Sequence, residues 1–153
     1  MSDLHDPSAK VAILARLEGL EPDRPRVWGR MNAHQAVCHL NDSFEWAAGR
    51  RDAKPIKGPP IPAIVMKGVA LYLPLPWPKG VPTMPEADQM KGGTPPGDFG
   101  DDRAQLVELI EEFAAAPEGK RRPPHPIFKS MSRTDWGRWA YRHVDHHLRQ
   151  FAR

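Results

Sequence analysis

Asp135-Trp136-Gly137-Arg138-Trp139-Ala140-Tyr141-Arg142-His143-Val144-Asp145-His146-His147-Leu148-Arg149-Gln150-Phe151 reads as one amphipathic helix. At about 100° per residue, Trp136, Trp139, Ala140, Val144 and Phe151 share one face. His143 and His147 rise from the middle of that face, roughly 40° apart, with Gln150 beside them. Imidazole is costly to bury unless its nitrogens find partners. Four residues of spacing aims two imidazoles at one spot, which suits a metal ion. The alternative is a core pair satisfied by carbonyls or carboxylates. Ser132, three residues before Asp135, resembles a capping box that opens the helix.

Three more helices flank this reading upstream. Asp6-Pro7 has the form of an N-cap followed by proline in the first turn. The helix it opens runs to about Leu17 and is expected to bury Val11, Leu14 and Leu17, with Gly19 as its stop. Asn32 caps a second helix over about Ala33–Ala48, ended by Gly49, with Ala33, Ala36, Val37, Leu40, Phe44 and Ala47 as its stripe. Asp101-Asp102 places negative charge at the start of a third, where the macrodipole favours it. That helix turns Leu106, Leu109, Ile110 and Phe113 inward and stops before Pro117. No stretch alternates with a strand's period.

Between the second and third of these helices lies a segment, Lys54 to Gly100, with 11 of the 18 prolines. Proline removes donors and breaks helices, so this segment is no bundle helix. Ile61–Leu73 is the stretch fit for a short helix, with Pro62 in its first turn and Gly68 as its weak point. Val81–Gly100 reads as extended loop. An insertion of this length is a lid, a binding loop or a wrap over the domain. The expected architecture is all-α: one domain over residues 1–153, a four-helix bundle with a proline-rich insertion at about 54–100.

Composition excludes several classes. The chain has 153 residues, 27% charged, with net charge +3 and the two signs interspersed. Lys120-Arg121-Arg122 is too short a basic run to argue for nucleic acid. The longest apolar run, Ile61–Pro76, is interrupted by Lys67, Gly68 and prolines and makes a poor membrane span. Met1–Pro7 is polar and acidic, unlike a secretory signal. A single cysteine forbids an internal disulfide and fits a reducing compartment, so a cytoplasmic location is expected.

A two-histidine pair needs a third ligand. His39 lies at the edge of the second helix's stripe, roughly 110° from its centre, where it can face a neighbouring helix. Three neutral imidazoles leave positions open for water or substrate. His146 points to the flank of its helix, as a supporting or surface residue. His34 is expected to face outward, and His125 sits in a proline-rich loop. Asp42 is a weak candidate for orienting a histidine or acting as a base; its plainer reading is a solvated carboxylate. Gln150 is the other weak candidate for a role in the chemistry, through a hydrogen bond near the site. Cys38 follows His34 by four residues, but it lies opposite the stripe with no third group visible, so a small helix residue is the plainer reading. Trp136 and Trp139 read as core, or as an apolar wall beside a metal. Gly-rich phosphate loops, H-E-x-x-H and G-x-S-x-G motifs are absent from the sequence.

His143-Val144-Asp145-His146-His147-Leu148-Arg149-Gln150 resembles the H-x-x-x-H-x-x-Q pattern in the last helix of the DinB-like superfamily of four-helix bundles. Trp28-Gly29-Arg30-Met31-Asn32-Ala33, leading into Val37-Cys38-His39-Leu40, extends the resemblance. His125-Pro126-Ile127-Phe128 and Asp135-Trp136-Gly137-Arg138 place it in an uncharacterised branch. The match runs from about Val11 to Phe151 and is poorest across the proline-rich middle. The resemblance implies a divalent metal, zinc or nickel, on His39, His143 and His147. It also implies a metal-dependent thiol transferase or hydrolase acting on a small electrophile, with a low-molecular-weight thiol as partner. The competing expectation is a non-catalytic, stress-related dimer whose histidines hold a structural or adventitious metal.

Overall fold

The computed structural model describes residues 2–52, 54 and 60–153. Five α-helices and no strand occur among them: α1 (Pro7–Glu18), α2 (Ala33–Ala47), α3 (Ala63–Tyr72), α4 (Phe99–Ala115) and α5 (Arg133–Arg149). A single 3₁₀ turn, Pro85–Ala87, lies between α3 and α4.

Local capping explains where the helices begin. Asp6 accepts from Ser8 N at 2.8 Å with Pro7 in the first turn of α1. Asn32 and Gln35 exchange backbone and side-chain bonds in a full capping box, at 2.8 and 3.0 Å. Ser132 and Asp135 do the same at α5. Asp98 caps α4 and accepts from Asp101 N at 3.1 Å. Asp101 and Asp102 occupy the first turn, as the acidic pair suggests.

α2 packs most extensively against α4 and also meets α5, while α1 lies on α5 and α4. The stripe expected on α2 is buried throughout, as are Leu106, Leu109, Ile110 and Phe113 of α4. Along α5, Trp136, Trp139, Ala140 and Val144 are buried, with Phe151 beyond its end. α1 departs from expectation. Val11 is 63% exposed and Leu14 only half-buried; the buried stripe is Ile13, Leu17 and Leu20, joined by Leu4. The 13–17–20 spacing is itself helical, and the Arg16–Asp145 ion pair at 2.7 Å orients α1 along α5.

α2 is unusual in being buried nearly all round. Beyond its apolar stripe, Cys38, His39, Asn41, Asp42 and Ser43 are also covered. Part of the cover is the proline-rich segment. Asp42, 2% exposed, accepts from Thr94 N at 2.9 Å, Thr94 Oγ1 at 2.6 Å and Gln89 Nε2 at 2.9 Å. Arg51 pairs with the same carboxylate at 2.8 Å and donates to Glu86 O at 2.7 Å. These bonds lay residues 86–94 against α2.

α3 occupies most of the stretch expected to be helical, with Gly68 inside it. It docks on α5 through Lys67 Nζ to Asp135 Oδ2 at 2.9 Å and Tyr72 Oη to Asp135 Oδ1 at 2.6 Å. Leu71 is its only fully buried residue. The 3₁₀ turn falls within Val81–Gly100, expected as extended loop; the stretch is otherwise irregular as far as residue 98, and its last two residues, Phe99 and Gly100, already belong to α4.

Candidate metal centre

α2 and α5, each opened by a capping box, meet at the histidines. His39 Nε2 lies 3.0 Å from His143 Nε2. Ring centroids of His39, His143 and His147 are separated by 5.1, 4.6 and 5.1 Å. One ligand atom from each of the three lies within 4.8 Å of the others. His39 and His147 are buried, and His143 partly so. The three residues singled out from the sequence thus converge from two helices.

Two of the three tautomers are set by acceptors outside the cluster. His39 Nδ1 donates to the Ala87 carbonyl at 2.7 Å. His147 Nδ1 donates to Gln150 Oε1 at 2.7 Å. Neutral rings with the proton on Nδ1 present bare Nε2 lone pairs inward. His143 Nδ1 is buried with no hydrogen-bond partner. If His143 places its proton on Nε2, toward His39, its Nδ1 lone pair is left without a donor. If it places the proton on Nδ1, two lone pairs confront each other at 3.0 Å. A cation between them removes that confrontation, and ligand nitrogens on a tetrahedral zinc stand roughly 3.3 Å apart at the usual bond length. The donor set fits a divalent ion.

Burial keeps the three rings neutral. Desolvation lowers the pKa of His39, against an opposing pull from the Ala87 carbonyl. It lowers His143 and His147 well below the ordinary value, and the neighbouring imidazoles add to the effect. Neutral imidazole is the form that ligates.

The surroundings are aromatic. Trp139 stands 5.1 Å from His143 between ring centroids, and Trp77 5.9 Å from the same ring. His146 lies beside Trp28 at 4.7 Å and Trp77 at 5.8 Å, half-buried and outside the convergent set. Burial holds its pKa at about 4. Trp77 and the Ala87 carbonyl had no signal in the sequence, because they sit in irregular chain without periodicity.

The remaining candidates fall elsewhere. Asp42 is neither solvated nor hydrogen-bonded to a histidine; it anchors Thr94, Gln89 and Arg51. Gln150 is buried and bonded to His147. His34 does not face outward: its Nε2 lies 2.6 Å from Asp102 Oδ2. Cys38 donates to the same oxygen at 3.4 Å, not to His34. Burial and Asp102 push that thiol up to about 12, the reverse of an activated nucleophile. His125 is buried in its loop, where Nδ1 accepts from Ile127 N and Phe128 N at 3.1 Å each.

Helices that carry a three-histidine cluster with outward-braced tautomers define a helical protein with a candidate metal centre. The family model of the DinB superfamily matches residues 8–151, and the chain belongs to that superfamily. Neither the curated proteins nor the solved structures provide a match. Among the described residues, no helix is long and apolar enough to cross a membrane.

Proposed function

We propose that this protein holds a divalent ion, zinc or nickel, on His39, His143 and His147. It uses that ion to direct a low-molecular-weight thiol or water onto a small electrophile. In this reading α1, α2, α4 and α5 form a four-helix bundle of one domain, and α3 belongs to a proline-rich insertion over about residues 54–100. The observation that carries the proposal is the convergence of three neutral imidazoles, two braced from behind by Ala87 O and Gln150 Oε1.

A divalent ion on three neutral nitrogens keeps open coordination positions and lowers the pKa of a thiol or water that joins it. The chain's own contribution is to present the lone pairs and exclude bulk water. Ala87 and Gln150 hold two rings in the ligating tautomer. Trp139 and Trp77 wall the His143 side and keep the local dielectric low. The single cysteine agrees with a reducing, thiol-rich cytoplasm.

The burial of His39 (4% exposed) and His147 (8%) favours a second reading, a structural ion in a non-catalytic dimer. One experiment separates the readings. Untagged protein is analysed for bound metal, then assayed against thiol-dependent transfer and ester hydrolysis substrates. Loss of one equivalent of ion in His147→Ala, with helicity retained, is the expected result. An unchanged metal content in that variant overturns the site. A lost equivalent with no turnover on any substrate in the wild type favours the structural ion.

A further inference from the structure

We propose that the chain carries a second divalent-cation site, separate from the three histidines, built from His34 Nε2, Cys38 Sγ and Asp102 Oδ2. It lies on the side of α2 that faces α4.

His34 and Cys38 are one turn apart on α2, so both project toward the first turn of α4, where Asp102 sits. Asp102 Oδ2 is 2.6 Å from His34 Nε2 and 3.4 Å from Cys38 Sγ, and the three atoms fall within 4.8 Å of one another. On a tetrahedral zinc, such donors stand roughly 3.3–3.6 Å apart at the usual bond lengths. The Cys38–Asp102 separation already matches, and the imidazole and carboxylate need to part. Gly97 N donates to Asp102 Oδ2 at 2.9 Å and Asn41 Nδ2 to Asp102 O at 2.9 Å, which fixes the acidic residue from two sides.

A second observation points to a ligand. Asn41 is 5% exposed, and its Oδ1 is buried with no hydrogen-bond partner. Buried acceptors are rarely left without a donor or a cation. Asn41 lines a cleft of about 250 Å³ together with Cys38, Asp42, Arg51, Thr94 and Asp102. The cleft supplies room for a fourth ligand, whether water or a small anion.

Donor chemistry selects the ion. One thiolate, one imidazole and one carboxylate form a mixed set that suits zinc and disfavours magnesium and calcium, which require oxygen. Thiolate and carboxylate together cancel the ion's two positive charges, so the buried cluster stays close to neutral. Protons balance simply. The thiol proton leaves to solvent, and His34 carries its proton on Nδ1 instead of Nε2.

Cobalt(II) titration of the full chain tests the site, because Cys38 is the only cysteine. Any thiolate-to-cobalt charge-transfer absorption must therefore come from this residue. The expected result is a near-ultraviolet band that is complete by two equivalents in the wild type, by one in a variant without the three-histidine site, and is displaced by zinc. The band persists in the His143→Ala/His147→Ala double variant, so failure of the three-histidine site leaves it intact. It disappears in Cys38→Ala and in His34→Gln, the latter a half-buried position where the fold survives by circular dichroism. Asp102→Asn weakens cobalt binding at least about tenfold. Absence of the band in the wild type, or its survival in Cys38→Ala, overturns the proposal and leaves a hydrogen-bonded cluster only.

Discussion

Gln150 stands between His147 and Gly29. Its Oε1 accepts the His147 Nδ1 proton, and a Cβ on Gly29 would come within 2.5 Å of its Nε2. Gly29 has φ +85°, a left-handed conformation that glycine tolerates best. The loop before α2 thus packs its barest residue against the brace of a candidate ligand. Gln150→Leu and Gly29→Ala should both lower metal affinity at the three histidines, by about 10–100-fold, through loss of the brace. Competition titration with a chromogenic chelator measures this. Equal affinity in wild type and Gln150→Leu would show that the brace has no influence on the ligand.

Acid should unfold the metal-free protein through its buried imidazoles. His39, His143 and His147 all have folded-state pKa values below the ordinary 6.5, and His125 is pushed down to about 3 by burial. Below pH 6.5 the unfolded chain binds protons that the folded chain refuses. Stability is therefore complete above that pH and lost as the pH falls, about 1.4 kcal/mol per unit for each ring until its folded pKa is reached. For His125 the loss reaches on the order of 4 kcal/mol near pH 3. Urea midpoints of the metal-free protein should decline steadily from pH 6.5 to 4. His125→Asn, whose Oδ1 can accept from Ile127 N and Phe128 N, should shed about one proton from that slope. A midpoint constant between pH 6.5 and 5 contradicts the account.

Asp42 is expected to matter for stability. Asp42→Ala strips Thr94, Gln89 and Arg51 of a shared buried acceptor and should cost about 2–4 kcal/mol, read from urea unfolding. It should also weaken metal binding modestly, because residues 86–94 carry the Ala87 carbonyl that orients His39. Full stability with abolished turnover would instead make Asp42 a catalytic base.

Gly137 is the crossing point of α5 and the N-terminal segment. Leu4 N donates to Gly137 O at 3.0 Å, and a Cβ on Gly137 would collide with the Asp3 carboxylate and the His5 ring. Asp3 Oδ1 is held by His5 N and Nδ1, both at 2.9 Å, so it is not free to swing aside. Gly137→Ala should undock Leu4 and cost about 2–3 kcal/mol, seen as a lower melting temperature. An unchanged melting temperature would show that the segment shifts freely.

What could be read from the chain followed local physics. Caps at Asp6, Asn32 and Ser132, and the apolar stripes of α2, α4 and α5, depend on spacings within one or two turns. The convergence of His39 with His143 and His147 was legible because each stood on or beside such a stripe. Val11 misled because an apolar residue at helical spacing carries no sign of which face the neighbours will cover. Asp42 and His34 misled for a related reason. Their partners, Thr94 and Asp102, arrive from chain more than fifty residues away. No pattern around a carboxylate or an imidazole announces such a visitor.

His39 and His143 are 104 positions apart in the chain. A chain with one cysteine has no disulfide with which to tie such distant points. An ion gripped by both helices would act as a removable staple, closing a loop of about a hundred residues and narrowing the denatured ensemble much as a long-range cross-link does. Thermal resistance of this protein would then follow the supply of free metal in its surroundings.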